Sequence, residues 1–172
     1  MVLSQAKEGL LQTKMKKKFI LDVCCGSKMF WFDKENKDVL FCDIREENYI
    51  LCDGRSLNIK PDIVCDFRSL PFRDNSFKLL VFDPPHLNKL GENSWMAKKH
   101  GVLSKTWEED IRQGFKECFR VLEEHGTLIF KWSETQIKVR EILALTNQSP
   151  LFGHKSGKLS NTHWICYMKE IG

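Results

Sequence analysis

No apolar run in this sequence is long enough to cross a bilayer; the longest, such as Leu79–Phe82 and the stretch 127–130, end within a few residues. No apolar segment follows the basic stretch near the start in the way a secretion signal requires, which argues against export. The seven cysteines (24, 25, 42, 52, 65, 118 and 166) are odd in number and contain no CxxC pair. Neither a disulfide framework nor a zinc ribbon is therefore supported, no metal is expected, and a reducing, cytoplasmic compartment is the natural reading. Internal repeats and low-complexity tracts are also missing. A strong excess of one charge is missing too: 27 Lys and Arg stand against 23 Asp and Glu, for a net charge of +4. That balance permits a phosphate-rich partner without demanding one.

What is present suits one domain. With 172 residues, 42% of them hydrophobic, the chain can bury a sizeable core. Residues 3–15 place Leu3, Ala6, Leu10 and Leu11 near helical spacing, ahead of the Lys16–Lys18 run. Short β-type runs then alternate with helix-length intervals, the signature of a parallel sheet flanked by helices. The predicted strands are Phe19–Cys24, Val39–Asp43, Ile63–Asp66, Leu79–Asp83, Gly126–Trp132 and Thr162–Met168.

The spacing of Ile111, Phe115, Cys118, Phe119 and Leu122 predicts a helix over about 104–124, with Thr106–Glu109 as its capping box and Gly126 closing the connection. A second capping box at Ser133–Gln136 predicts a helix running to about Leu145. The stretch His86–Leu103 has no periodicity and reads as a functional or mobile loop.

Several strands end in or beside an aspartate: Asp22, Asp43, Asp66 and Asp83. In open parallel sheets ligands bind at the carboxyl ends of strands, so such a row points to one crevice. A lone terminal aspartate, by contrast, is usually a turn former. The first strand runs into Asp22-Val23-Cys24-Cys25-Gly26-Ser27, a strand and glycine turn expected to lead into a helix start, able to bring backbone N–H groups against a nucleotide-like ligand. Asp43 follows Asp22 by 21 residues, where a carboxylate can accept from two ribose hydroxyls. The absence of GxGxxG argues against a dinucleotide and so against an oxidoreductase. In Asp83-Pro84-Pro85-His86 the two prolines fix φ and remove two donors, leaving the chain stiff with exposed carbonyls beside a carboxylate. Those two acceptors suit an NH2 group.

These segments resemble the class I S-adenosylmethionine-dependent methyltransferases, of the type that modifies amino groups. Asp22 and Gly26 match the family's first motif, while Cys24 and Lys28 replace its outer glycines. The run from Cys65 to Phe77, with Asp66-Phe67, Leu70-Pro71-Phe72 and Asp74-Asn75-Ser76-Phe77, resembles the family's stretch between strands three and four, although Leu70, Phe72 and Phe77 would close the core in any case. Asp83-Pro84-Pro85-His86, beginning 57 residues after Gly26, is similar to the [DNS]-P-P-[YFW] motif, with His86 in place of the usual larger aromatic.

The resemblance implies an α/β, Rossmann-like, seven-stranded, mainly parallel sheet with helices on both faces and an antiparallel C-terminal hairpin (151–153 with 162–168). Residues 1–18 would be a helical, basic segment and 19–172 the methyltransferase domain. It implies S-adenosyl-L-methionine as cofactor, bound by Asp22, Cys24, Gly26, Asp43, Asp66 and Phe67. Asp66 would take the adenine amino group. Asp83, the Pro84 carbonyl and His86 would hold the target nitrogen, with His86 stacking on a base or accepting a proton.

Transfer would be direct, because no Pro-Cys pair of the 5-methylcytosine enzymes occurs. The implied substrate is a nucleobase in DNA or RNA, flipped out if it lies in a duplex. Asn88, Lys89, Trp95, Lys98, Lys99 and His100 are candidate contacts to that polymer, with Lys155 and Lys158 as a second phosphate contact. A protein partner would supply target recognition, and no membrane is involved. A small-molecule or protein-amide substrate, or a non-catalytic partner subunit of the same fold, stays open.

Overall fold

A computed structural model describes residues 18–51, 53–90, 94–157 and 159–170. The helix and lysine run expected before residue 18, apart from Lys18 itself, lie outside that set, as does Lys158. The apolar runs fold as β1 (Ile20–Asp22), β2 (Val39–Asp43), β3 (Glu47–Ile50), β4 (Ser56–Ile59), β5 (Ile63–Val64), β6 (Phe77–Phe82), β7 (Leu122–Ser133), β8 (Phe152–Lys155) and β9 (Thr162–Met168). Three helices are described: α1 (Trp95–His100), α2 (Trp107–Val121) and α3 (Val139–Leu143). Among them no helix is long and apolar enough to cross a membrane.

Seven strands form one sheet in the order β5-β2-β1-β6-β7-β9-β8. The first five in that order run parallel, and β9 joins β7 and β8 antiparallel. The chain leaves β1 for β2 and β5 on one side and returns to β6 on the other. That reversal opens a crevice at the carboxyl ends of β1 and β6.

The side-chain alternation of the strands divides the core. Leu21, Leu40, Leu80, Phe82, Leu128, Phe130 and Tyr167 pack with Ile111, Phe115 and Cys118 of α2. Each of these apolar side chains contributes about 1.5–3 kcal/mol by leaving water. On the opposite face Ile20, Val39 and Phe41 pack with Cys25 and Trp31. That cover comes from the segment 23–38, which forms turns; the helix expected to open after Gly26 is not formed. The connection from β2 to β5 likewise carries the antiparallel β3–β4 hairpin instead of a helix.

Other expectations are corrected locally. α2 ends at Val121 and passes directly into β7, because Phe77 pairs with Leu122 ahead of a register shift in β6. Gly126 therefore sits inside β7, where a Cβ would stand 2.7 Å from Leu122 Cδ1. The Thr106 hydroxyl does not cap α2; it bonds Ser104 Oγ, which reaches Asp110 instead. The second helix shrinks to Val139–Leu143, because β7 extends through Ser133 and the Glu141 carboxylate accepts the Lys138 N–H. The stretch 86–103 contains α1, a helix too short and too exposed to show a period.

Candidate active site

At the carboxyl ends of β1, β2 and β6 lies an open cleft, where ligands bind in open parallel sheets. Seven of the residues expected to hold the cofactor or the target nitrogen line it (Cys24, Gly26, Asp43, Phe67, Asp83, Pro84 and His86), as do Lys99 and His100 from the expected polymer contacts. The first wall is the turn after β1, tied down by Cys25 N–H to the Cys42 carbonyl (2.8 Å) and Gly26 N–H to Asp43 Oδ2 (2.9 Å). Gly26 has φ +50°, and a Cβ placed on it would meet nothing within 4 Å, so the backbone there faces open space. Lys28, where the family pattern has glycine, keeps a left-handed φ of 55°.

Asp43 is 4% exposed and works as a hub. Its Oδ1 accepts from the Arg45 N–H (3.0 Å) and Nε (3.3 Å), while Arg45 Nη1 donates to the Lys98 carbonyl (2.9 Å). Arg45 thereby joins the end of β2 to α1, which adds Lys99 and His100 to the cleft wall.

Asp22 is fully buried behind the turn and does not line the cleft. Its carboxylate accepts from Trp31 Nε1 (2.7 Å) and the Cys24 N–H (3.3 Å). Burial pushes its pKa up to about 7, against the pull of the Trp31 bond. Burial, with Asp43 and Asp22 nearby, also raises the Cys24 thiol, which disfavours its thiolate. Asp66 lies outside the cleft lining: Arg68 clamps its carboxylate (2.6 Å) and holds it below the usual carboxylate range. Its neighbour Phe67 does face the cleft and packs on Phe82, with ring centroids 5.4 Å apart.

The far wall is Asp83-Pro84-Pro85-His86. Burial raises the Asp83 carboxyl above its ordinary value, and the adjacent Lys131 ammonium opposes that shift. His86 packs 5.3 Å from the His100 ring. Burial and Lys131 push His86 down to about 4, and burial and His86 push His100 down to about 4. Both imidazoles are neutral at pH 7. His86 is thus in the form that can accept a proton, though a weaker base than a free imidazole, and its planar face stays available for stacking.

The chain after His86 is fastened by Gln136, whose Oε1 accepts from Asn88 N–H (2.7 Å) and Lys89 N–H (3.0 Å) and whose Nε2 donates to the Lys89 carbonyl (3.1 Å). Trp95, Lys98 and Lys89 do not line the cleft. Lys155 is paired with Glu134 (3.3 Å) rather than free for a phosphate.

Sequence reasoning missed Arg45, Lys131, Met29 and Phe30. A lysine between Phe130 and Trp132, in a strand otherwise reading as core, was a usable signal; for Arg45 and Met29 there was none.

No protein-family model and no curated protein matches this sequence. Solved structures do match in fold. A Pyrococcus horikoshii protein superposes with a TM-score of 0.55 at 18% identity, over 95% of this chain and 87% of that one. A Methanosarcina mazei protein titled as an S-adenosylmethionine-dependent methyltransferase gives 0.54 at 15% identity, over 95% and 98% of the two chains. The geranyl diphosphate C-methyltransferase of Streptomyces coelicolor, solved with S-adenosylhomocysteine and its substrate, gives 0.50 at 10% identity, over 97% and 79%. The seven-stranded sheet with its antiparallel last strands is thus the Rossmann-like fold that such methyltransferases share.

Proposed function

We propose that this chain is an S-adenosylmethionine-dependent methyltransferase acting on an exocyclic amino group of a nucleobase in DNA or RNA. The observation that carries the reading is one cleft in which the Gly26 turn, Asp43 and Phe67 stand opposite Asp83-Pro84-Pro85-His86. The residues present fit the cofactor: open space over Gly26 for close approach, a carboxylate at the end of β2 for ribose hydroxyls, and the Phe67 ring for an apolar heterocycle.

Bound there, S-adenosylmethionine would supply an electrophilic methyl group. The chain's own part is to hold the acceptor. Asp83 and the Pro84 carbonyl offer two oxygens to an NH2 group, and the neutral His86 ring offers a planar face. Lys99 on α1 brings positive charge to the mouth, suited to a phosphate. A small-molecule amine is the second reading, favoured by α1 narrowing the cleft through Lys99 and His100.

Calorimetry with S-adenosylhomocysteine, followed by methyl-labelled cofactor offered DNA, RNA and a small-molecule extract, tests both. Asp83→Ala should abolish transfer with cofactor affinity changed only a few-fold. Asp43→Ala should weaken cofactor binding by about 1–3 kcal/mol. Equal effects of both on cofactor binding would refute this division of roles.

A further inference from the structure

Lys131 lies near the carboxyl end of β7 between two fully buried aromatics, Phe130 and Trp132. Those two face α2, so strand alternation sends Lys131 to the other side of the sheet. Because Phe82, the last residue of β6, pairs with Phe130, the residue that follows it, Asp83, falls beside Lys131. The Nζ to Asp83 Oδ2 distance is 2.5 Å, with side chains only 19% and 16% exposed. The same ammonium stands 5.3 Å from the Phe30 ring centroid and 5.6 Å from that of Trp164. An apolar side chain would fill this strand position without the cost of desolvating a charge. A lysine enclosed by two rings and a carboxylate therefore calls for a reason beyond packing.

We propose that Lys131 is a positioning residue for methyl transfer: its ammonium, held between Phe30 and Trp164, keeps Asp83 ionised and occupies Oδ2, leaving Oδ1 for an N–H of the acceptor amine. This rests on the methyltransferase reading above. As the acceptor nitrogen's lone pair forms the new N–C bond, the S–C bond breaks with its electron pair left on sulfur, and the N–H proton passes to Asp83. Burial alone favours the protonated carboxyl, which could not take that proton; Lys131 opposes burial. Among the described residues, the titratable groups that interact with the pair include Asp22 on β1, Cys24 in the turn after it, His86 beyond the prolines and His100 on α1, while Asp43, Arg45 and Lys99 line the same cleft.

The test compares the native protein with Lys131→Met and Lys131→Arg, with Lys131→Gln as a second charge-removing variant should the first not fold. Carboxyl-carbon NMR, with the Asp83 resonance identified by its loss in Asp83→Asn, follows ionisation without any reaction. Removing the charge should move the Asp83 midpoint to higher pH, and arginine should restore it. Transfer at pH 7 should fall about tenfold or more, with the acid limb of the pH profile displaced upward and recovered in Lys131→Arg.

An unmoved Asp83 midpoint, or a profile lowered at all pH values without displacement, would overturn the assignment. Failure of the native protein to bind S-adenosylhomocysteine would instead overturn the methyltransferase reading and this role with it. Binding with an unmoved midpoint would overturn Lys131 alone.

Discussion

Gly114, in the middle of α2, offers the sharpest test of how the core shapes the cleft. In an ordinary helix interior, replacing glycine by alanine gains about 0.5–1 kcal/mol. Here the added Cβ would lie 2.7 Å from Phe67 Cδ2 and 2.7 Å from Phe82 Cζ. Carbon–carbon contacts prefer roughly 3.5–4.0 Å, so about 1 Å must be recovered. Phe82 cannot yield: it is fully buried, with the rings of Phe115 and Phe130 each 5.6 Å away.

Phe67 can yield, because it forms part of the cleft wall, and the direction open to it is into the cleft. Overpacking of this kind costs about 1–3 kcal/mol, which exceeds the propensity gain. Gly114→Ala should therefore be about 1–2 kcal/mol less stable in urea titration. It should also bind S-adenosylhomocysteine about tenfold more weakly in calorimetry, since every 1.4 kcal/mol lost is a factor of ten. Adding Phe67→Ala should relieve the clash, so the two changes should be non-additive in stability. A Gly114→Ala protein more stable than the native one, with unchanged affinity, would refute the argument.

The histidine pair makes stability pH-dependent. His86 and His100 sit at about 4 in the fold against 6.5 when free, so the unfolded chain binds protons first. Stability should fall as pH drops from about 6.5 to 4, by up to about 1.4 kcal/mol per pH unit for each histidine. Asp22, held at about 7, works the other way, and Asp22→Asn should steepen that acid loss in melts taken across the range. Arg120 donates to Glu117, Asp74 and the Leu70 and Phe72 carbonyls. Arg120→Met should cost about 2–3 kcal/mol by chemical denaturation, and a loss under about 0.5 kcal/mol would show those bonds to be replaceable. Gln136→Ala should raise amide exchange at Asn88 and Lys89, its two bonded N–H groups, with little change at β7.

Much of the fold was legible because apolar runs and their spacing follow directly from what a strand or helix must bury. The strand segments and the stripe on α2 are of this kind, whereas the C-terminal hairpin followed only from the family resemblance. Misreadings fell where local chemistry admits two outcomes. Ser133–Gln136 carries a capping pattern, yet Ser133 stays in β7 with its hydroxyl on Thr135, and two other side chains find tertiary partners: Gln136 takes Asn88 and Lys89, and Glu134 takes Lys155 and His163. The segment after Gly26 has helix length, yet its aromatics cover a sheet face, with Trp31 set 5.3 Å from Phe41.

From sequence alone the Gly26 turn, Asp43 and Asp83-Pro84-Pro85-His86 could be singled out, since strand ends and rigid prolines are local features; Phe67 entered only through the family resemblance. Tertiary structure decided which oxygens are already engaged. Asp66 is taken by Arg68, Asp22 is sealed behind Trp31, and Asp83 is paired with Lys131 across 48 residues of chain. Such pairings depend on which strands lie side by side and on how far each charge is buried. Linear spacing fixes neither, because the crossovers that set strand order are determined by the packing of the whole sheet.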